Sequence, residues 1–264
     1  MQKRHTDRKM YFRDLEITSK EFYISYLSDF TELTPKSRIL EVGCGEGGNL
    51  VPFAQLGCKV TGIDIAECRI KEAKAYFSEI SNHATFVCSD FMQYPVPCNE
   101  EDKYDVILLH DVIEHVPTKE PFLAHLRKFM KTKGVLFVGF PAWQMPFGGH
   151  QQICRSKLCS HLPFIHLLPT PLYRLLLKTC NEEKGTMNEL MSIKECRTSI
   201  ELFERLIHQC DFSVTDQKLW FINPHYKQKF HLTPRLLPHC VWKMKYIRNF
   251  FTTSCWYILT ISHK

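Results

Sequence analysis

Ile39-Leu40-Glu41-Val42-Gly43-Cys44-Gly45-Glu46-Gly47-Gly48 is the stretch on which the reading of this chain turns. A short apolar run ends, glycines let the backbone turn sharply, and a helix is expected from about Asn49 to Leu56. A strand, tight loop and helix in that order bring main-chain N–H groups and a helix N-terminus against a ligand. Gly43-x-Gly45-x-x-Gly48 also satisfies the dinucleotide-binding spacing, which alone does not separate a ligand loop from a structural turn.

On either side of this stretch, short apolar runs alternate with helical ones, the pattern of βαβ units around a parallel sheet. Strands are expected at Arg38–Val42, Lys59–Ile63, Ala84–Cys88, Asp105–Leu109 and Val135–Phe140. Helices are expected near Asn49–Leu56, Glu67–Ile80 and Lys119–Lys131, the last with Pro121 in its first turn, where a missing N–H is harmless.

Three acids then decide what the loop would hold. Glu41, two residues before Gly43, would repel a pyrophosphate but attract an ammonium. Asp64 ends the second strand, 21 residues after Gly43, where an acid can accept both hydroxyls of a ribose. Asp90 follows the third strand and can take an adenine amine while Phe91 packs on the ring. A ligand with an ammonium, a ribose and an adenine but no phosphate is S-adenosylmethionine. At these residues the chain resembles the class I S-adenosylmethionine-dependent methyltransferases. The core Glu41-Val42-Gly43-Cys44-Gly45, the acid-ended second strand with Ile65 after it, Ser89-Asp90-Phe91 and Tyr104-Asp105-Val106-Ile107 occur in that family's order over about residues 30–140. The resemblance implies an α/β, Rossmann-like, seven-stranded and mostly parallel sheet with helices on both faces: five parallel strands and a terminal hairpin. It also implies cofactor contacts from Glu41, Gly43, Cys44, Gly45, Asp64, Ile65, Asp90, Phe91 and His110.

Methyl transfer from a sulfonium needs an aligned nucleophile and, for a hydroxyl, a base or a metal to deal with its proton. The fourth strand leads into His110-Asp111-Val112-Ile113-Glu114-His115. Asp111-x-x-Glu114-His115 resembles the E-x-x-E-H element of two metal-using branches, the ubiquinone-biosynthesis O-methyltransferases and the small-RNA 2′-O-methyltransferases. The latter add a histidine beyond the fifth strand, and His150 stands there. Asp111, Glu114, His115 and His150 are therefore the candidate ligands of a divalent metal, against a plainer expectation of no metal and a loop ordered by hydrogen bonds. His150 is the candidate general base, with His115 beside it. His83 and His125 read as surface residues. No Gly-x-Ser-x-Gly elbow and no Gly-Lys-Ser/Thr phosphate loop is present.

With 264 residues, 44% hydrophobic and 23% charged, the chain is expected to be one domain; a disordered or collagen-like chain is excluded. The expected division is a cap helix (1–30), a cofactor half (31–140), a lid after the fifth strand (141–190), a helix and hairpin (191–240) and a basic-aromatic tail (241–264). The hairpin is placed at Phe212–Ile222 and a second short strand reaching about Leu232. Neither a spanning helix nor a secretory signal is expected, and the twelve cysteines include no Cys-x-x-Cys pair, so reduced thiols and a cytoplasmic protein are the expectation.

Charge is uneven. Residues 1–140 hold 18 Lys/Arg and 20 Asp/Glu; residues 141–264 hold 16 and 8. The order of bases (Lys243, Lys245, Arg248) before apolar residues (Phe250, Phe251, Trp256–Leu259) suits burial or a peripheral membrane contact through 241–264. The apolar lid with scattered bases, and Trp143 and Phe147 within it, favours O-methylation of a small-molecule, glycan or lipid-derived acceptor. Nucleic acid is disfavoured, though an RNA 2′-hydroxyl stays an alternative acceptor. The competing functions are a nicotinamide-dependent oxidoreductase and a non-catalytic cofactor-binding protein. Oligomeric state is left open.

Overall fold

A computed structural model describes residues 8–80 and 83–262. The parts of the expected cap and tail at residues 1–7 and 263–264 lie outside the described residues.

Five strands are parallel: β1 (Arg38–Val42), β2 (Lys59–Asp64), β3 (Ala84–Cys88), β4 (Tyr104–His110) and β5 (Met130–Phe140). Three more come after them, β6 (Phe212–Ile222), β7 (Arg235–Leu236) and β8 (Ser254–Ile261), and the sheet order is β3-β2-β1-β4-β5-β8-β6-β7. The sheet thus has eight strands rather than the seven expected, the extra one being the two-residue β7 on the outer edge of β6.

Period-two alternation sorts the strand side chains between two cores. Leu40, Ile107, Leu136, Val138, Tyr257 and Leu259 face one side. There they meet α5 (Lys119–Arg127) through Phe122, Leu123 and Leu126, and α9 (Ile200–Gln209) through Ile200, Phe203 and Ile207. Ser199 caps α9, its Oγ accepting from the Leu202 N–H at 3.1 Å. Ile39, Val60, Val106, Leu108, Phe137 and Trp256 face the other side. They are covered by α1 (Arg8–Thr18), a π-helical turn (Ser19–Tyr23), α2 (Ile24–Ser28), α3 (Val51–Gln55) and α4 (Glu67–Phe77). Helices therefore cover both faces, as expected.

The C-terminal third departs from expectation. Trp256, Tyr257, Ile258 and Leu259 are buried against the domain, as the apolar run suggested, but as a strand of the sheet and not as a tail: β8 lies between β5 and β6, antiparallel to both, with Phe137 opposite Ile258. The continuous run Cys255–Leu259 is apolar because both faces of this strand are buried, as parallel and central strands are. The strand expected to reach Leu232 is instead the helix α10 (Tyr226–Phe230), and the inner arm of the hairpin with β6 is β8. Two short helices, α11 (His239–Trp242) and α12 (Arg248–Phe251), lead into β8.

Between β5 and α9 the insertion forms α6 (Lys157–His161), α7 (Thr170–Thr179) and α8 (Lys184–Cys196). It has a small core of its own, with Cys154, Ile165, Tyr173, Leu177 and Leu190. Its last helix packs against the turn Ile113–His115 that comes after β4, which sets the insertion over the carboxyl ends of the parallel strands.

Candidate active site

The loop after β1 is tied to the end of β2 on both sides. The Gly43 and Cys44 N–H groups donate to the Ile63 carbonyl (2.8 and 3.1 Å), and the Gly45 N–H donates to Asp64 Oδ2 (2.8 Å). Gly43 has φ +73°, and a Cβ there would lie 2.4 Å from Val112 Cγ2, so only glycine fits. Gly48 is held equally close: an added Cβ would meet the Phe12 carbonyl oxygen at 2.5 Å, which is how α1 lies directly on the glycine loop. Arg8 of α1 pairs with the buried Glu46 of that loop.

The three acids stand at the tips of three neighbouring strands. Glu41 is buried; its Oε1 accepts from Asn49 Nδ2 at 2.7 Å, while Oε2 has no partner among the described residues. Burial pushes its pKa up to about 8; the Asn49 hydrogen bond opposes the rise and nearby Asp64 adds to it. Asp64 accepts from two main-chain N–H groups, Gly45 at Oδ2 and Ala66 at Oδ1, both at 2.8 Å, which leaves one lone pair on each oxygen for a ligand hydroxyl. Asp90, two residues beyond β3, accepts from the Met92 N–H at 2.9 Å. Ile65 is 76% exposed beside Asp64, and Cys44 is buried.

Phe91 is a correction. Its ring lies in the core, 4.9 Å from Phe129 and 5.5 Å from Phe122, so its face is not presented to an adenine. His125, expected on the surface, packs against that ring at 5.2 Å. His110 is buried where Gly139 leaves room, since a Cβ on Gly139 would lie 2.6 Å from its Cδ2. Its Nε2 has no partner among the described residues.

Two residues the sequence did not single out complete this end of the site. Asn49 holds Glu41. Tyr23, from the π-helical turn, is 1% exposed; its ring is 5.5 Å from His110 and its hydroxyl has no partner among the described residues. Burial, with Asp111 and Glu41 nearby, pushes its pKa up. A π-turn inside a helix is a recurrent mark of a functional position, and no sequence pattern reveals it.

The second cluster lies where β4 and β5 lead out. Asp111 (φ +53°) and His150 (φ +56°) both occupy the left-handed region. The ligand atoms of Glu114, His115 and His150 all lie within 4.8 Å of one another. His150 Nε2 is 3.8 Å and His115 Nε2 4.0 Å from Glu114 Oε1, and the two imidazoles meet edge to face at 5.0 Å. Both Glu114 oxygens are buried without a hydrogen-bond partner among the described residues. Burial and then Asp111 push the Glu114 pKa up, while burial and His115 lower that of His150 to about 4. Asp111 is not part of that mutual group: its half-exposed carboxylate is 3.5 Å from His110 Nδ1, so three of the four expected ligand residues come together. Trp143 is buried with its ring 4.6 Å from that of His166, closing the insertion onto itself.

The sequence profile of the family described as "Methyltransferase domain" matches residues 15–152, more than half of the chain. The chain belongs to the methyltransferase-domain family. Over 125 residues this methyltransferase-domain chain is 32% identical to a protein named ubiquinone biosynthesis O-methyltransferase from Bartonella quintana (strain Toulouse), covering 45% of this chain and 49% of that protein. It is 31% identical over 125 residues to sterol 24-C-methyltransferase ERG6B from Gibberella zeae, covering 46% and 31%. It thus spans half or less of the length of these relatives. Among solved structures, magnesium protoporphyrin IX methyltransferase from Synechocystis PCC 6803, with bound SAH, has the same fold (TM-score 0.50, 16% identity, covering 97% of this chain and 84% of that one).

Glu41 adds a prediction. At pH 7 most of its carboxyl is protonated, and an ammonium placed on the free Oε2 favours the charged form. Binding of S-adenosylmethionine at pH 7 is therefore expected to release close to one proton. Calorimetry in buffers of different ionisation enthalpy reads this, and Glu41→Gln is expected to abolish the release.

Proposed function

We propose that this chain is an S-adenosylmethionine-dependent methyltransferase acting on an oxygen of a small acceptor. The observation that carries the cofactor assignment is Glu41: a buried acid with one oxygen unpartnered among the described residues, beside the ribose-type acid Asp64, suits an ammonium, which would draw it into the charged form, and offers a pyrophosphate no cation. The nicotinamide alternative places its pyrophosphate against that same acid and is set aside by the family as well.

Oxygen is favoured over carbon by the cluster at His150. Held neutral by burial, His150 can accept the proton of an acceptor hydroxyl as the oxygen attacks the sulfonium methyl; the methyl–sulfur bond breaks and S-adenosylhomocysteine leaves. The name of the Bartonella relative supports oxygen and that of the Gibberella relative carbon, so names alone do not choose. The insertion over the site, with no Asp or Glu between Glu120 and Glu182, suits an apolar or anionic acceptor.

A second reading is favoured by one observation, the two buried and unpartnered oxygens of Glu114. Two imidazoles and a carboxylate within 4.8 Å suit a transition-metal ion or zinc better than Mg²⁺. Glu114, His115 and His150 would hold it, and a bound ion would lower the pKa of an acceptor hydroxyl. Loss of activity with a chelator, restored by Mn²⁺ or Zn²⁺, selects this reading over the metal-free one.

The cofactor assignment is tested by thermal shift. S-adenosylmethionine at about 100 times its Kd is expected to raise Tm by roughly 5–10 °C. NAD at the same concentration is expected to do nothing; the reverse pattern would overturn the proposal. Retained cofactor binding without turnover of any hydroxylated acceptor would leave the non-catalytic binding protein.

A further inference from the structure

The chain carries no Asp or Glu from Pro121 to Asn181 and none after Asp216. The fold brings parts of these two acid-free stretches together, with the rings of Phe164 and Phe250 6.3 Å apart. Around that contact the surface is apolar. In the insertion, Leu158, Leu162, Phe164, Leu172 and Leu175 are exposed, Leu172 and Leu175 by 53% and 57%. From the C-terminal stretch come Tyr246, Ile247, Phe250 and Phe251, all exposed.

Helix α7 is apolar on both sides. Tyr173 and Leu177 fill the insertion's core, and Leu172 and Leu175 face outward, where a surface helix of a water-soluble domain carries polar residues. Exposed bases flank the patch: Lys157, Arg174 and Lys178 on one side, Lys243 and Lys245 on the other. Exposed leucine and aromatic side chains rimmed by Lys and Arg match a bilayer interface of anionic headgroups over acyl chains. The acids at its edge are Glu195, beside Arg174 and Lys178, and Glu201 and Glu204, beside Lys245 and Tyr246, of which the last two already pair with Arg248. A second copy of this chain on the same patch would set these bases against their own kind. No described helix is long and apolar enough to cross a membrane, so the contact is one of lying on the surface.

We propose that the outer face of α7, with the Phe164 turn and Tyr246–Phe251, docks this protein onto an anionic phospholipid bilayer. Of the tail 241–264 only the part before β8 takes part in this contact, because the apolar end is that buried strand. The patch is also braced on the loop that carries His150: the Phe164 N–H donates to the Pro146 carbonyl at 2.7 Å, and Gln151 Nε2 donates to the same carbonyl at 2.9 Å. Docking therefore places the acceptor end of the site near the membrane.

Vesicle flotation tests this with full-length protein and no cofactor, so failure here leaves the methyltransferase assignment untouched. The protein is expected to float with phosphatidylcholine vesicles containing phosphatidylglycerol, to stay behind with phosphatidylcholine alone, and to be released as salt rises. The double substitution Leu172→Glu and Leu175→Glu is expected to cut the bound fraction about tenfold. Its Tm should match that of the wild type, since both side chains point outward. Phe250→Glu, on the other stretch, is expected to act in the same direction. Three outcomes would overturn the proposal: no flotation of the wild type, equal flotation of the double variant, or a self-associated protein that the same substitutions dissociate without any vesicle binding.

Discussion

Replacing Asp64 by alanine is expected to weaken S-adenosylmethionine binding about 100-fold or more and to erase the thermal shift. In the proposed binding mode the carboxylate does two jobs. Each oxygen already accepts a main-chain N–H, from Gly45 and Ala66, and each keeps a lone pair for one ribose hydroxyl. Hydrogen bonds to a charged group contribute about 1.5–3 kcal/mol each, so losing both ribose bonds costs about 3 kcal/mol or more, near two decades in Kd. Freeing the Gly45 N–H also loosens the loop that must cradle the methionine end. Calorimetric titration measures the change. A Kd within threefold of wild type would mean that Asp64 only ties the loop.

Replacing His150 by alanine is expected to lower kcat by about 10²–10⁴, the usual contribution of a positioned base, with cofactor Kd unchanged. The pH profile carries the sharper statement. A base works deprotonated, and His150 is pushed down to about 4 by burial and His115, so its limb should appear only as pH falls towards 4. The rate should be flat through pH 6–7, where an ordinary histidine near 6.5 would titrate. An unchanged kcat in the variant, or a wild-type limb near 6.5, would contradict the assignment.

The parallel half of the fold was legible because its signals are local. β1 runs straight into Gly43, β2 ends in Asp64 and β3 is followed by Ser89-Asp90, each breaking an apolar run, and these strands lie within a residue of where the pattern puts them. β8 was not legible as a strand. A central strand buried on both faces loses the alternation that marks a half-buried one, so Trp256–Leu259 reads as any apolar run and only its partners decide its state. The same loss of local signal explains α10. Asn223-Pro224 marks a turn correctly, but whether a strand or a helix comes after that turn depends on packing against α1.

Within the site, acids and histidines were visible as residue types, whereas their partners were not. Asp111 sits in the expected motif yet its left-handed backbone turns the carboxylate towards His110. Phe91 follows Asp90 as expected, but its ring fills the core beside Phe129, where burial is worth more than an exposed stacking face. Tyr23 reaches the site from a part of the chain distant in sequence, through a helical irregularity that no spacing announces.

The measurement that bears most directly on the account is a crystal structure with S-adenosylhomocysteine bound. The account predicts the ligand's ammonium within hydrogen-bond range of Glu41 Oε2, its ribose hydroxyls on Asp64, its adenine amine at Asp90, and its sulfur turned towards the His115–His150 pair. A ligand bound elsewhere, or one whose ribose and ammonium touch neither Asp64 nor Glu41, would contradict it.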